Sequence, residues 1–194
     1  MEVERTSAQA PVVTGTPGRV MEDALRTALP RYDWDSQHFS STPQRFTRML
    51  RELTTPESFV FTTFESDIDE MVVLSHISFY TFCAHHIIPF FGEAHVAYVP
   101  NGKLCGLSKI ARVVESCCRS LNVQEELTAD IADFLEDKLE PKGVAVVMEA
   151  EHLCMTMRGV KAAGTRTTTS AMRGVFLDPT KDARPEFLQL IGAR

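Results

Sequence analysis

Near the start of the chain, apolar positions recur at helical spacing. Val20, Ala24, Leu25 and Ala28 predict a short amphipathic helix over 19–29, stopped by Pro30. Ser41-Thr42-Pro43 reads as a second helix start with proline in its first turn. Phe46, Met49, Leu50 and Leu53 form the stripe expected to be buried, and Pro56 follows its end. From Phe59 to Val99 the pattern is that of strands. Met71 to Tyr80 and Ala94 to Val99 are rich in β-branched and aromatic residues, and Pro100-Asn101-Gly102 marks a turn.

Helical spacing then returns in two consecutive helices. Ile110, Val113, Val114, Cys117 and Leu121 line the first. Val123, Leu127, Ile131, Leu135 and Leu139 line the second, which Pro141-Lys142-Gly143 ends. A long strand over Gly143 to Arg158, another over Thr165 to Met172 and a short closing helix over Phe187 to Ile191 complete the pattern. Residues 1–17 lack a sustained period and read as a flexible arm, 18–56 as an N-terminal helical segment, and 57–194 as the main domain. The fold class is α+β, with an antiparallel sheet and no internal repeats.

Composition narrows the function classes. At 194 residues and 44% hydrophobic content, one core of good size is expected. A net charge of −6 argues against a broad nucleic-acid surface while leaving room for a local basic pocket. No apolar run reaches the roughly 18 residues of a membrane span, and the N-terminal residues do not read as a signal peptide. A cytoplasmic, membrane-free protein is the expectation. Five cysteines, an odd number without framework spacing, point to metal ligands and free thiols rather than disulfides.

The chemistry concentrates in Cys83-Ala84-His85-His86 and His152-Leu153-Cys154. Cys83, His86 and Cys154 are candidate ligands for zinc. Three protein ligands is the count of a catalytic zinc with an open position for water, and His85 and His152 remain free to move protons. A closed structural site would need a fourth ligand from Cys105, Cys117 or Cys118. Of these, Cys117 sits on an apolar helix stripe, and the others have no partner at ligand spacing. On the long strand over Gly143 to Arg158, His152, Cys154, Thr156 and Arg158 share one face. The plain alternative is the polar outer face of a half-solvated strand.

Ser108 is a candidate N-cap for the helix carrying Lys109 and Arg112, and two cations at a helix N-terminus make a phosphate site. Gln124-Glu125 begins the next helix, and a carboxylate there can accept both N1–H and the exocyclic amine of guanine. The plain alternatives are a solvated basic helix face and acids complementing a helix dipole.

Taken in order, FCAHHIIPFFGEAHVAYVP, GLSKIARVVE, VQEELT, HLCMTMRGV and TRTTTSAMRG resemble the zinc-dependent GTP cyclohydrolase I family, over a match running from Thr42 to Leu188. The resemblance implies the tunnelling fold, in which sheets and helices of several subunits close into a barrel. It also implies a homodecamer of two pentamers with active sites at subunit interfaces.

The implied reaction hydrolyses GTP to 7,8-dihydroneopterin triphosphate and formate. That is a first step toward folate, tetrahydrobiopterin or 7-deazaguanine products. The family's zinc ligands fall on Cys83, His86 and Cys154, and its catalytic histidines on His85 and His152. Its guanine anchor falls on Glu125 beside Gln124, its ribose and phosphate contacts on Ser108, Lys109, Arg112 and Arg158, and Arg45 reaches in from a neighbouring subunit. Ala84 departs from the pattern, which usually has Glu there.

Rival readings meet objections in the same residues. A pyruvoyl-tetrahydropterin synthase would bind zinc through three histidines. A zinc nucleoside deaminase would carry H-x-E and C-x-x-C, absent at the necessary places. A nitrile reductase would use a cysteine nucleophile without zinc. A binding or structural zinc module, with the cysteines closed around the metal, is the non-enzyme alternative.

Overall fold

A computed structural model describes residues 16–192. Most of the arm expected over 1–17 lies outside the described residues, and Pro17 already opens the first helix. The chain divides into two compact units, Met1–Glu52 and Leu53–Arg194.

In the first unit, α1 (Pro17–Ala28) has proline in its opening turn and is capped at its C-terminus by Leu29, one residue before Pro30. Arg26 binds Glu22 at 2.9 Å on α1 and Asp35 at 2.6 Å in the loop that follows. Trp34 is buried in that loop, edge-on to Phe39, and donates its indole N–H to the Leu29 carbonyl at 3.2 Å. α2 spans Thr42–Leu53. The stripe expected to be buried is not: Phe46, Met49 and Leu53 are 36%, 37% and 40% exposed, and α1 buries no residue at all. Both helices are strongly amphipathic, with apolar residues along one face.

The second unit is built on a five-stranded sheet of order β5-β2-β3-β6-β7, formed by β2 (Val72–Cys83), β3 (Ile88–Val99), β5 (Leu121–Asn122), β6 (Gly143–His152) and β7 (Thr167–Met172). All its pairings are antiparallel except β2 with β5. β1 (Thr63–Glu65) and β4 (Lys103–Cys105) make a separate ribbon. One sheet face carries Phe79, Phe90, Ala94, Val96, Tyr98, Val144, Val146 and Met148. It packs on Ile110, Val113 and Val114 of α3 (Leu107–Cys118) and on Leu127, Ile131 and Leu135 of α4 (Gln124–Leu139). Alternate residues Ala97, Ala145 and Val147 face the other way, against Phe176 and Phe187 of the C-terminal segment that holds α6 (Ala183–Leu190). Burial pushes the Tyr98 phenol up to about 12; its oxygen accepts the Cys105 peptide N–H.

Three expectations fail locally. β6 does not run to Arg158 but stops at His152, where the last β6–β7 pair, Ala150 with Thr167, has already passed. Without a neighbour on that side the backbone turns on itself, and Leu153–Thr156 forms a helical turn, α5, in which the Met157 N–H returns to the Leu153 carbonyl. Leu121 is not on α3. The helix ends at Cys118, and the Asn122 amide binds the Cys117 and Cys118 carbonyls, freeing Leu121–Asn122 to pair with Phe82 and Cys83. Ser108 is not the N-cap of α3; Gly106 is, and Ser108 is the second helical residue.

Candidate active site

β2 ends on Cys83, and the four residues from Ala84 to Ile87 turn the chain into β3. The turn is tight: the Ile87 N–H reaches the Cys83 carbonyl at 2.9 Å, and Ile87 sits at φ +52°. It presents His85 and His86 beside the buried Cys83 sulfur, with His85 Nδ1 at 3.5 Å and His86 Nδ1 at 4.0 Å. Ala84 is exposed; its peptide N–H binds the Asn122 carbonyl at 3.0 Å, which ties the turn to β5.

Cys154 arrives from the other side. The early end of β6 and the turn of α5 bring its sulfur round, so that one ligand atom from each of Cys83, His86 and Cys154 lies within 4.8 Å of the others. Burial, and then the nearby Cys83 sulfur, push the Cys154 thiol up. A cation between the two sulfurs would offset that effect on Cys154. A tetrahedral zinc with bonds of about 2.0–2.3 Å sets its ligands roughly 3.3–3.8 Å apart, so small side-chain rotations close this S₂N set on one ion. The donor set fits zinc. All five cysteines are free thiols. Cys105 and Cys118 are buried and Cys117 packs against the core, so none joins the cluster as a fourth ligand.

His152 lies at the end of β6, opposite Phe90, whose ring stacks on the imidazole at 4.3 Å and 7°. Burial depresses its pKa, and the Glu125 charge acts in the opposite direction. Its Nε2 meets Gln124 Oε1 at 2.6 Å. The Gln124 amide nitrogen faces the Met148 and Thr167 carbonyls and Thr169 Oγ1 at 3.0–3.2 Å, which fixes the orientation of the amide. Oε1 is therefore the acceptor and His152 Nε2 the donor, leaving Nδ1 as the basic nitrogen. Gln124 is only 2% exposed, and its side-chain amide is occupied by His152 and the sheet.

These residues share a cleft of about 220 Å³ lined by Cys83, His85, His86, Gln124, Glu125, His152 and Cys154, together with Asn122, Val123, Met155 and Thr167. Arg158 lies close enough for its charge to favour the Cys154 thiolate. Ser108, Lys109 and Arg112 are not in this lining. Lys109 Nζ binds the Val60 carbonyl at 2.8 Å, and Arg112 lines a separate cleft of about 230 Å³ with Glu57, Phe59 and Arg119. Arg45 belongs to the first unit, where its guanidinium binds Ser41 Oγ, Thr42 Oγ1 and the His38 carbonyl. Sequence reasoning missed Asn122 and Phe90. An asparagine between two helical periods is a capping signal that could have found the first; nothing in the pattern marks Phe90 as a stacking partner.

The family model of GTP cyclohydrolase I matches residues 21–192. The chain belongs to the GTP cyclohydrolase I family. Among its relatives, GTP cyclohydrolase 1 of Aquifex aeolicus (strain VF5) is 50% identical over 161 residues, covering 82% of this chain and 87% of the relative. GTP cyclohydrolase 1 of Geobacillus kaustophilus (strain HTA426) is 49% identical over 181 residues, covering 89% and 96%. A crystal structure of the archaeosine synthase QueF-Like in the apo form superposes with a TM-score of 0.45 at 19% identity, over 54% of this chain and 93% of that one. That likeness is too weak to bear on function.

Proposed function

We propose that this chain is a GTP cyclohydrolase I, which opens the guanine imidazole ring of GTP with water and yields formate and 7,8-dihydroneopterin triphosphate. The observation that carries the reading is the cleft, in a chain of this family, where the Cys83–His86–Cys154 cluster adjoins His85, His152 and Glu125. Cys83, His86 and Cys154 would hold zinc, and the bound ion would supply Lewis-acid activation of water. Glu125, exposed at the start of α4, pairs with the guanine N1–H and 2-amino group. His85 gives a proton to N7 as the C8–N bond breaks, a task suited to an imidazole at neutral pH. His152 accepts and returns protons through Nδ1 while Gln124 holds Nε2–H, and Phe90 shields one ring face from water.

Ser108, Lys109, Arg112, Arg158 and Arg45 are proposed to bind the ribose and triphosphate. Ser108, Lys109, Arg112 and Arg158 are all absent from the cleft lining, which supports a site completed between subunits. The edge strand β7 and the exposed apolar faces of α1 and α2 support assembly too, in the proposed form of two facing pentamers whose sheets close into barrels. Among the described residues no helix is long and apolar enough to cross a membrane. The free thiols support a reducing, cytoplasmic setting.

GTP labelled with ¹³C at C8 tests the reaction: the label leaves as formate in step with a pterin that fluoresces after oxidation. Labelled C8 retained in the nucleotide would refute it.

A further inference from the structure

The sheet face turned away from α3 and α4 carries a second cluster of metal-ligating side chains. Along β3, Phe90, Ala94, Val96 and Tyr98 point into the core beneath those helices, so Glu93 and His95 point to the opposite side, as Ala97 does. Cys83 and Cys154 pack with the helix-side core, so the two clusters are separate.

His76 reaches Glu93 and His95 through a distortion of β2. The register passes from Leu74 opposite Val96 to Ile77 opposite Ala94, which leaves Ser75 and His76 together against His95. That extra residue is a bulge, a device that re-aims side chains. His76 also sits at φ +57°, in the left-handed region that side chains with a Cβ rarely adopt. In this conformation its Nδ1 lies 2.7 Å from Glu93 Oε2. Its ring stands edge-on to His95 with centroids 4.8 Å apart, and its peptide N–H points at His95 Nδ1 at 3.3 Å. One ligand atom from each of His76, Glu93 and His95 lies within 4.8 Å of the others. Nothing in the reaction proposed above uses any of them.

The charges around the cluster favour a cation. Glu149 is the register partner of Glu93 across β3 and β6, so two carboxylates stand side by side on one face, where like charges repel. Arg166, 3.8 Å from Glu149, offsets part of that repulsion. His95 is buried to 8% exposure, whereas the side chains of His76 and Glu93 are 64% and 50% exposed. One ligand is thus anchored in the sheet, and two more lie open to solvent, which can complete a coordination shell.

We propose that His76, Glu93 and His95 form a second metal site, for a divalent first-row transition cation, which clips the β2 bulge to β3. Two imidazoles and a carboxylate suit zinc, cobalt or nickel rather than magnesium or calcium, which prefer all-oxygen shells. The site stands independently of the GTP reaction.

Cobalt(II) is the probe, because its spectrum separates the two donor sets. Full-length protein is stripped with a chelator and titrated. Cobalt at Cys83 and Cys154 gives thiolate-to-metal charge transfer; cobalt on nitrogen and oxygen ligands gives only weak visible bands. The expected result is a second equivalent per chain that adds no charge-transfer intensity. It persists in Cys154→Ser and is lost in both His76→Gly and Glu93→Gln. Glycine suits the left-handed backbone at position 76, so the first of these variants removes the imidazole without straining the fold. Saturation at one equivalent, or a second equivalent that survives in both variants, would overturn the proposal.

Discussion

Gln124 shows how much one side chain can determine. Its amide nitrogen is held by Met148, Thr167 and Thr169, so its oxygen is left for His152 and the imidazole tautomer follows. If His152 works through Nδ1, Gln124 acts on the chemistry without touching substrate. Steady-state kinetics of Gln124→Met should then show kcat for GTP about 10–100-fold lower, the usual cost of losing a group that orients a site residue, with KM nearly unchanged. A rise in KM at constant kcat would return Gln124 to substrate binding. That Cys83, His85, His86, His152 and Cys154 gather in one cleft was legible from their two short motifs. The link from Gln124 to His152 was not, because it joins residues 28 apart through a buried bond that no spacing rule encodes.

At the scale of elements, the informative failure is β6. An apolar, β-branched run predicts a strand through Arg158, and period-two alternation then puts His152 and Cys154 on one face. The chain instead leaves the sheet at His152, and the helical turn after it delivers Cys154 to Cys83. The run alone could not reveal this, since what ends the strand is the loss of a pairing neighbour rather than a breaker residue. α3 and α4 were legible because their buried residues repeat at helical spacing, and the core confirms this: Ile131 and Leu135 are fully buried. Leu135→Ala should cost about 2–5 kcal/mol in urea unfolding.

Gly92 ties the sheet to the site. A Cβ there would collide with the Glu149 carbonyl oxygen and come within 2.8 Å of Ala150 Cα. β3 and β6 must separate to admit it, close to the Phe90–His152 pair. Gly92→Ala is expected to lose about 2–3 kcal/mol of stability and to retain metal less well. An unchanged melting temperature and metal content would mean that the two strands yield without disturbing the cleft.

At the scale of the whole molecule, the proposal is an assembly of several chains. α2 leaves Phe46, Met49 and Leu53 part-exposed, β7 offers an open edge, and Lys109, Arg112 and Arg158, proposed to bind phosphate, are not in the lining of the cleft that holds the donors. The stripe of α2 was expected to be buried because an amphipathic period marks an apolar face without saying what, if anything, covers it. Light scattering on the purified protein should give a mass near ten times the 21.7 kDa chain. Met49→Glu should lower that mass and GTP turnover together. A monomer with full activity would contradict the proposed shared site.

The central claim is that Cys83, His86 and Cys154 hold a zinc ion on which GTP hydrolysis depends. Stripping the protein with a chelator and adding zinc back while formate release is followed tests it most directly. Formate release should vanish in the stripped protein, return in proportion to zinc up to one equivalent at the cysteine site, and stay at background in Cys154→Ser at any zinc concentration. Full formate release from zinc-free protein, or from Cys154→Ser, would contradict the account.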